Sequence, residues 1–250
     1  MKRNPFKTGK CYTLARRICI LLSGHGQGFF SARPHGRRQL DRPASPFPRN
    51  LSFGSRSTDR KCARFYPHGL QYLLERSRKT SFDLLEMGLG TGLNALLSYE
   101  HARGKGIEIR YMAVEKFPLA NGEILFEGLP EHEALILSRI HQCPWNKPCA
   151  LDTFFQLHKI RADFRDFDLP ADSLDLIYYD AFSPGSQPEL WTPELFGRMY
   201  AWLRPGGVWV TYVAKGQVRR DLQAAGFAVE RLPGPPGKRE ILRAVKPEGV

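Results

Sequence analysis

The stretch SFDLLEMGLGTGLNALL, residues 81–97, decides the fold class of this chain. Its first six residues predict a short apolar strand, the next six a glycine-rich turn, and the last five the start of a helix. A strand, a turn of this kind and a helix form the first unit of a doubly wound parallel sheet. Glycines let the backbone approach a ligand closely, and the helix N-terminus offers free N–H groups to an anion. We therefore expect a ligand site lined by Glu86, Gly88, Gly90 and Gly92.

A second strand is predicted over residues 107–114, and it ends at Glu115. An acid at the tip of the second strand can accept hydrogen bonds from both ribose hydroxyls of a nucleoside cofactor. The alternative is a surface glutamate at a strand end. With the glycine-rich turn in place, we favour the ribose role for Glu115.

Two more strands are predicted over residues 155–162 and 173–179. The first leads to Asp163 and Phe164, which we expect to hold the adenine amino group and to cover the adenine ring, although this segment also fits a solvated loop. The second ends at Asp180. Ligands in open α/β sheets bind at the carboxyl ends of strands, so an acid or a glycine turn follows each of four successive strands at one edge.

The remainder of the chain predicts a helix capped by Thr192, a turn and a strand, a second helix, and a final antiparallel pair. The respective ranges are residues 192–203, 204–207, 208–213, 218–225, 227–231 and 239–245. This order predicts an α/β fold of the class I S-adenosylmethionine-dependent methyltransferase type, with a Rossmann-like seven-stranded sheet and a terminal hairpin. NAD binding is the main rival. The turn reads GLGTG rather than GxGxxG and no sixth parallel strand is evident, so we favour S-adenosyl-L-methionine as the cofactor.

The positive charge of the chain is concentrated in its first quarter. Residues 1–67 hold 15 of the 37 Lys and Arg residues but 2 of the 25 Asp and Glu residues, whereas residues 68–250 are nearly neutral. We therefore divide the chain into an atypical basic segment, 1–67, and a methyltransferase domain, 68–250. The basic segment fits a disordered arm that touches RNA phosphates, a solvated tail without a role, or a stretch translated out of frame. Residues 68–79 predict an amphipathic helix, and residues 116–158 predict a helical insertion beside the acceptor site.

Other features limit the classes of protein to which the chain can belong. No run of 18 or more apolar residues occurs, so the sequence predicts no membrane span and, lacking a cleavable leader, a cytoplasmic protein. The five cysteines form no CxxC pair, which favours reduced thiols and no metal site. The sequence leaves the oligomeric state open.

Four short motifs carry a resemblance to a known family. They are DAFSP at 180–184, QPELWT at 187–192, TYVAKG at 211–216 and GPPGKRE at 234–240. In this order they resemble the MnmC-type tRNA wobble-uridine methyltransferases, in their stand-alone form, over residues 68–245. The resemblance implies methylation of the aminomethyl nitrogen of 5-aminomethyl-(2-thio)uridine at the anticodon wobble position of tRNA. The segment between Leu14 and His68 does not match the family, which there has a motif that contributes to the cofactor pocket.

The resemblance gives the acceptor side its candidate residues. Asp180 lies where the acceptor amine would arrive, and it is the candidate catalytic base or orienting group, unless it only caps the following turn. Candidates for substrate binding are aromatic residues that stack on an extruded uridine and cations that contact tRNA phosphates, although each aromatic also fits a core position. They are Phe182, Trp191, Tyr212, Lys215, Lys238 and Arg239.

Two other functions remain open on the sequence alone. Aminopropyltransferases, which form polyamines, share the expected fold and also use an acid after the fourth strand. A non-catalytic RNA-binding protein with a decayed methyltransferase domain would explain the unusual N-terminal segment. The intact glycine-rich turn and Glu115 argue against such decay in the cofactor half.

Overall fold

A computed structural model describes residues 67–119, 129–234 and 240–249 of the chain. They form one mixed eight-stranded sheet, and the strands follow one another across it in the order β3-β4-β2-β1-β5-β6-β8-β7. The strands are β1 (Ser81–Met87), β2 (Glu108–Glu115), β3 (Pro148–Asp152), β4 (Phe155–Arg161), β5 (Leu174–Tyr179), β6 (Leu203–Thr211), β7 (Ala228–Pro233) and β8 (Glu240–Val245). The class I methyltransferase fold is confirmed, and the predicted count of seven strands was one too few because β3 adds an edge strand.

Helices cover the sheet between the strands. A π-helical turn (Pro67–Gln71) continues into α1 (Tyr72–Arg76), and the longer helices are α2 (Leu93–Lys105), α3 (Glu131–Gln142), α4 (Pro193–Trp202) and α5 (Gly216–Ala224). A short 3-10 turn (Pro188–Leu190) precedes α4. Thr192 caps α4 as predicted, because its side chain accepts a hydrogen bond from the backbone N–H of Leu195. Within the described residues, no helix has both the length and the apolar character that a membrane crossing requires.

The parallel strands β4, β2, β1, β5 and β6 bring their carboxyl ends to one edge of the sheet. Met87 at the end of β1 is in register with Val114 of β2 and with Tyr179 of β5, and Glu115 is in register with Arg161 of β4. Each strand end leads directly into a segment that the sequence marked as a candidate site. Since β5 is buried along its whole length, this edge is held by the central core of the protein.

The terminal hairpin is confirmed: β8 lies antiparallel between β6 and β7. The turn predicted at residues 204–207 was wrong, because this stretch belongs to β6. Gly206 donates its N–H to the carbonyl of Lys246, and Lys246 donates to the carbonyl of Gly207. The chain beyond β8 thus pairs with the proline- and glycine-rich segment and keeps it in the sheet.

The interpretation of residues 116–158 as a helical insertion was also wrong over much of its length. Within its described part, α3 is followed by β3, which pairs antiparallel with β4, and β4 itself begins at Phe155. The helix α3 runs beside α2 in the opposite direction. His132 near its start lies 3.6 Å from Glu100 of α2, and Ile140 near its end packs beside Gly92 at the start of α2. Because α3 ends at the carboxyl edge of the sheet, β3 returns the chain to the opposite edge before β4 begins.

The expectation of reduced thiols is corrected for two of the five cysteines. Cys143, directly after α3, and Cys149, in β3, form a disulfide with a Cα–Cα distance of 5.8 Å. The two cysteines are six positions apart in the sequence, a spacing that by itself does not reveal a disulfide. Cys11, Cys19 and Cys62 lie outside the described residues, as does nearly all of the basic segment 1–67.

Candidate active site

The glycine-rich turn has the backbone form that its sequence predicted. Gly88, Gly90 and Gly92 have φ angles of 84°, 50° and 79°, in a region of backbone conformation that residues with a side chain rarely adopt. A Cβ atom built on Gly90 would have open space around it, whereas one on Gly92 would lie 3.2 Å from a side-chain carbon of Ile140. Gly90 therefore lets a ligand approach the backbone, and Gly92 lets α3 pack closely against the turn.

Glu86 lies at the end of β1, next to the turn, and only 1% of it is exposed. Its carboxyl group accepts hydrogen bonds from the side-chain amide of Asn94 at 2.6 Å and from the hydroxyl of Tyr111 at 2.8 Å. Burial raises the pKa of Glu86 to about 8, and the charges of Asp180 and Glu115 act in the same direction. Glu86 is therefore largely protonated near neutral pH, and both of its oxygens already have partners within the protein.

Glu115, at the end of β2, faces the glycine-rich turn. Its Oε1 accepts the backbone N–H of Phe117 at 2.8 Å. Burial raises its pKa, while backbone N–H groups of Phe117, Gly90, Lys116 and Leu89 lower it. The turn and the carboxyl group thus hold each other in place, and the carboxyl group stays at the surface of the site.

Asp163 follows β4 at the same edge. Its carboxylate binds Lys116 at 2.7 Å and Arg165 at 2.6 Å, and the hydrogen bond with Arg165 is the main reason that its pKa lies well below the usual range. The next residue, Phe164, is buried, and its ring packs edge-on against Tyr179 and Trp202. The sequence placed both residues at this edge, but it did not anticipate that the ring of Phe164 belongs to the core.

Asp180 directly follows β5 and is half-buried. The register of β1 and β5 sets it beside the start of the glycine-rich turn, and its charge is close enough to influence Glu86. Glu115 and Asp180 therefore lie beside the turn, next to the buried and largely neutral Glu86. This arrangement favours a ligand that carries positive charge and hydroxyl groups.

The predicted acceptor-side aromatics fall into two groups. Phe182 is 54% exposed, whereas Trp191 and Tyr212 are 7% exposed each. The indole N–H of Trp191 donates to the carbonyl of Phe182 at 2.8 Å, and the hydroxyl of Tyr212 donates to the carbonyl of Ala181. Trp191 and Tyr212 are thus buried and hold the loop after β5 through its backbone carbonyls. Of the three rings, Phe182 is the one with an open face for stacking.

The predicted cations also differ in what the structure says of them. Lys215 is exposed just before α5, and a Cβ atom built on Gly185, in the loop after β5, would lie 4.0 Å from its Nζ. Lys238 and Arg239 lie outside the described residues. Glu100, His132 and Glu133 bring potential metal ligands within 4.8 Å of one another; they lie on α2 and α3 and belong to neither set of predicted site residues.

Several residues at this edge were missed by reasoning from the sequence. Phe117, 50% exposed, presents an aromatic ring two residues after Glu115. Asn94, a polar residue in an apolar helix start, and Tyr111, inside β2, are the partners of Glu86. For Phe117, its position two residues after Glu115 was a signal that the sequence already offered. The partners of Glu86 become visible only once β1, β2 and α2 are packed together.

Known proteins resemble this chain over most of the described region. Residues 134–247 match the family model of the S-adenosyl-L-methionine-dependent methyltransferases named Methyltransf_30. The tRNA 5-methylaminomethyl-2-thiouridine biosynthesis bifunctional protein MnmC of Methylobacillus flagellatus is 30% identical over 177 residues, which cover 66% of this chain and 27% of that protein. Its counterpart in Aeromonas hydrophila is 33% identical over 185 residues, which cover 67% of this chain and 28% of that protein.

A solved structure gives the same picture at the level of the fold. The crystal structure of MNMC2 from Aquifex aeolicus superposes with a TM-score of 0.57 at 24% identity, covering 72% of this chain and 58% of that one. The chain spans about 28% of the length of the curated relatives that it matches.

Proposed function

Because the chain carries an S-adenosyl-L-methionine-dependent methyltransferase domain of the MnmC type, we propose that it methylates the aminomethyl nitrogen of 5-aminomethyl-(2-thio)uridine at the wobble position of tRNA. The observation that carries the proposal is the pair of acids, Glu115 and Asp180, beside the glycine-rich turn. The site is suited to a cationic nucleoside cofactor on one side and to an amine on the other.

The cofactor side fits S-adenosyl-L-methionine in its shape and in its chemistry. The open space at Gly90 admits a ligand to the backbone, and the N-terminal end of α2 can face the carboxylate of its amino-acid part. Glu115 would accept hydrogen bonds from the ribose hydroxyls. The exposed ring of Phe117 would cover the adenine. Asp163 would accept the adenine amino group in exchange for one of the four hydrogen bonds that Lys116 and Arg165 donate to its carboxylate.

The bound cofactor supplies a methyl group that is already activated by its sulfonium leaving group. The protein therefore mainly has to align the acceptor amine with that methyl group. Asp180 would accept an N–H of the deprotonated amine through a carboxylate oxygen and so turn the nitrogen lone pair toward the methyl carbon. It would then hold the proton that the nitrogen releases once the new N–C bond has formed.

Protonation of Glu86 helps to keep Asp180 in its charged form. If all three acids were ionised, their mutual repulsion would raise the pKa of each. Since burial keeps Glu86 largely neutral near pH 7, the negative charge can reside on Asp180, where the amine arrives. Phe182 would stack on the extruded uridine, and Lys215 would contact a tRNA phosphate. Lys238 and Arg239 remain predicted tRNA contacts on sequence grounds alone.

The test is methyl transfer from labelled S-adenosyl-L-methionine to tRNA that lacks the final wobble methyl group, followed by nucleoside analysis. Label in 5-methylaminomethyl-type uridine is the expected result. Transfer of the aminopropyl group of decarboxylated S-adenosyl-L-methionine to a polyamine-type amine, without tRNA, would instead identify an enzyme closer to the aminopropyltransferases. Absence of cofactor binding would favour the non-catalytic RNA-binding protein.

A further inference from the structure

The last turn of α3 rests on the glycine-rich turn. The Nε2 atom of His141 lies 3.0 Å from the carbonyl oxygen of Thr91, the residue between Gly90 and Gly92. A Cβ atom built on Gly92 would lie 3.3 Å from the same ring nitrogen. The histidine side chain therefore contacts the turn at the backbone carbonyl oxygen of Thr91.

The backbone of His141 is bonded to β4, the strand next to the edge strand β3. Lys159, in the middle of β4, is 1% exposed, and its Nζ donates a hydrogen bond to the backbone carbonyl of His141 at 2.8 Å. The same ammonium group lies 4.8 Å above the ring of Trp145. The disulfide between Cys143 and Cys149 ties the chain just beyond His141 to β3. A rigid support thus runs from the sheet through His141 to the turn.

The protonation state of His141 suits this contact. Burial lowers its pKa, so the ring is neutral near pH 7, and a neutral imidazole carries one N–H. Because Thr91 offers a carbonyl oxygen, the hydrogen must reside on Nε2 for a bond to form. The positive charge that faces the ring is that of Lys159, which also opposes protonation of His141.

The turn needs an external support of this kind. It contains three glycines with positive φ, and such residues lose much conformational freedom when they are ordered. Its own backbone bonds run from the Gly92 N–H to Leu89 and from the Gly88 N–H to Val114. Neither of these bonds engages the carbonyl of Thr91, which accepts from His141.

We propose that His141 is a positioning residue for the cofactor, which fixes the carbonyl of Thr91 and thereby keeps the backbone of the glycine-rich turn in one conformation before the ligand arrives. The inference rests on the proposed function, since it takes S-adenosyl-L-methionine to bind at this turn. A preformed turn does not have to be ordered during binding, so the affinity for the cofactor is higher.

The experiment compares His141→Ala, His141→Gln and the control His132→Ala by titration calorimetry with S-adenosylhomocysteine. His132 lies on the same helix, but 67% of its side chain is exposed and it does not contact the turn. We expect about fivefold to tenfold weaker binding for His141→Ala, the loss of one hydrogen bond and its ordering effect. His141→Gln should recover most of the affinity because its amide N–H can reach the same carbonyl. The ¹⁵N shifts of the wild-type ring should report the Nε2–H form.

The outcomes separate this inference from the proposed function. Unchanged affinity in a folded His141→Ala variant would overturn it, and so would equal losses in the alanine and glutamine variants, which would indicate a packing role only. Binding that weakens in His141→Ala, from a wild type that binds but does not methylate tRNA, would support the inference and contradict the proposed substrate. A wild type that binds no S-adenosylhomocysteine would overturn both.

Discussion

The two halves of the carboxyl edge of the sheet differ in which groups accept the hydrogen bonds that hold them. The cofactor half, at the ends of β1, β2 and β4, is formed by acids whose oxygens already bind groups of the protein: Glu86 binds Asn94 and Tyr111, and Glu115 binds the glycine-rich turn. The acceptor half, at the ends of β5 and β6, is a loop whose backbone carbonyls accept hydrogen bonds from Trp191 and Tyr212.

This difference teaches how the site can serve two unlike ligands. A small cofactor gains affinity from a rigid, preformed cradle, because little has to be ordered when it binds. Under the proposed function, a tRNA base would arrive from outside and would need an accessible ring and a charged group, which Phe182 and Asp180 would supply. Variants at the edge should therefore separate into those that weaken cofactor binding and those that slow transfer or weaken tRNA binding.

The largest effect is expected for Asp180→Asn. The amide cannot take up the proton of the amine, so kcat should fall by about 10²- to 10⁴-fold while the affinity for S-adenosylhomocysteine changes little. Single-turnover methyl transfer and calorimetry measure the two quantities. Asp172→Asn, an exposed residue with a φ of 52° that asparagine tolerates, is the control. Full turnover of Asp180→Asn would remove Asp180 from the mechanism.

The second effect concerns Glu115 in the cofactor half. Glu115→Gln keeps the size of the side chain but removes the charge that would accept both ribose hydroxyls, so the dissociation constant for S-adenosylhomocysteine should rise about 10- to 100-fold. Glu108→Gln, at the exposed start of the same strand, provides a matched control. If both variants bind equally well, the assignment of Glu115 to the ribose is wrong.

A smaller effect is expected for Phe182→Ala in the acceptor half. Loss of one base-stacking contact should raise the KM for tRNA by about tenfold, without a change in cofactor affinity. The free energy of unfolding should stay within about 0.5 kcal/mol of the wild type because the ring is exposed. Leu135→Ala, which alters another exposed apolar side chain on α3, should leave KM unchanged. A Phe182→Ala variant that is destabilised but kinetically normal would make this residue structural.

The last effect is one on stability, not on turnover or ligand binding, and it concerns Glu86. Its pKa is about 8 in the folded protein and lies near its ordinary value of 4.5 in the unfolded chain. Between these values the folded state binds more protons, so the free energy of unfolding should fall as the pH rises from about 4.5 to 8. Glu86→Gln should reduce this change in the free energy of unfolding by about 3 kcal/mol between pH 5.5 and 8.5. Urea unfolding of the wild type, Glu86→Gln and Glu108→Gln at both pH values measures it. Parallel slopes for the wild type and Glu86→Gln would mean that Glu86 is ionised throughout.

Much of the fold could be read from the sequence. The unit from β1 through the glycine-rich turn to α2 was predicted because its apolar run, its glycines and its helix start are neighbours along the chain. The end of β5 followed because this strand is buried along its whole length and stops at a polar residue. The ends of β2 and β4 followed because their apolar positions recur along the strand and stop at polar residues. The predicted antiparallel pair at the end of the domain is confirmed as well. The short edge strand β3 was missed because its five residues carry no alternating pattern.

For the candidate site, too, one part could be predicted from the sequence and another part could not. The sequence by itself determined that Glu86, Glu115, Asp163 and Asp180 follow or end strands, since a strand's end is a local property. Only the tertiary structure decided what these side chains touch. Asn94 and Tyr111 donate hydrogen bonds to Glu86, and Trp191 donates one to the loop after β5. His141 contacts Thr91, which lies 50 residues earlier in the sequence. Such contacts depend on how separate elements pack, and in particular on the direction of α3, which no pattern of neighbouring residues encodes.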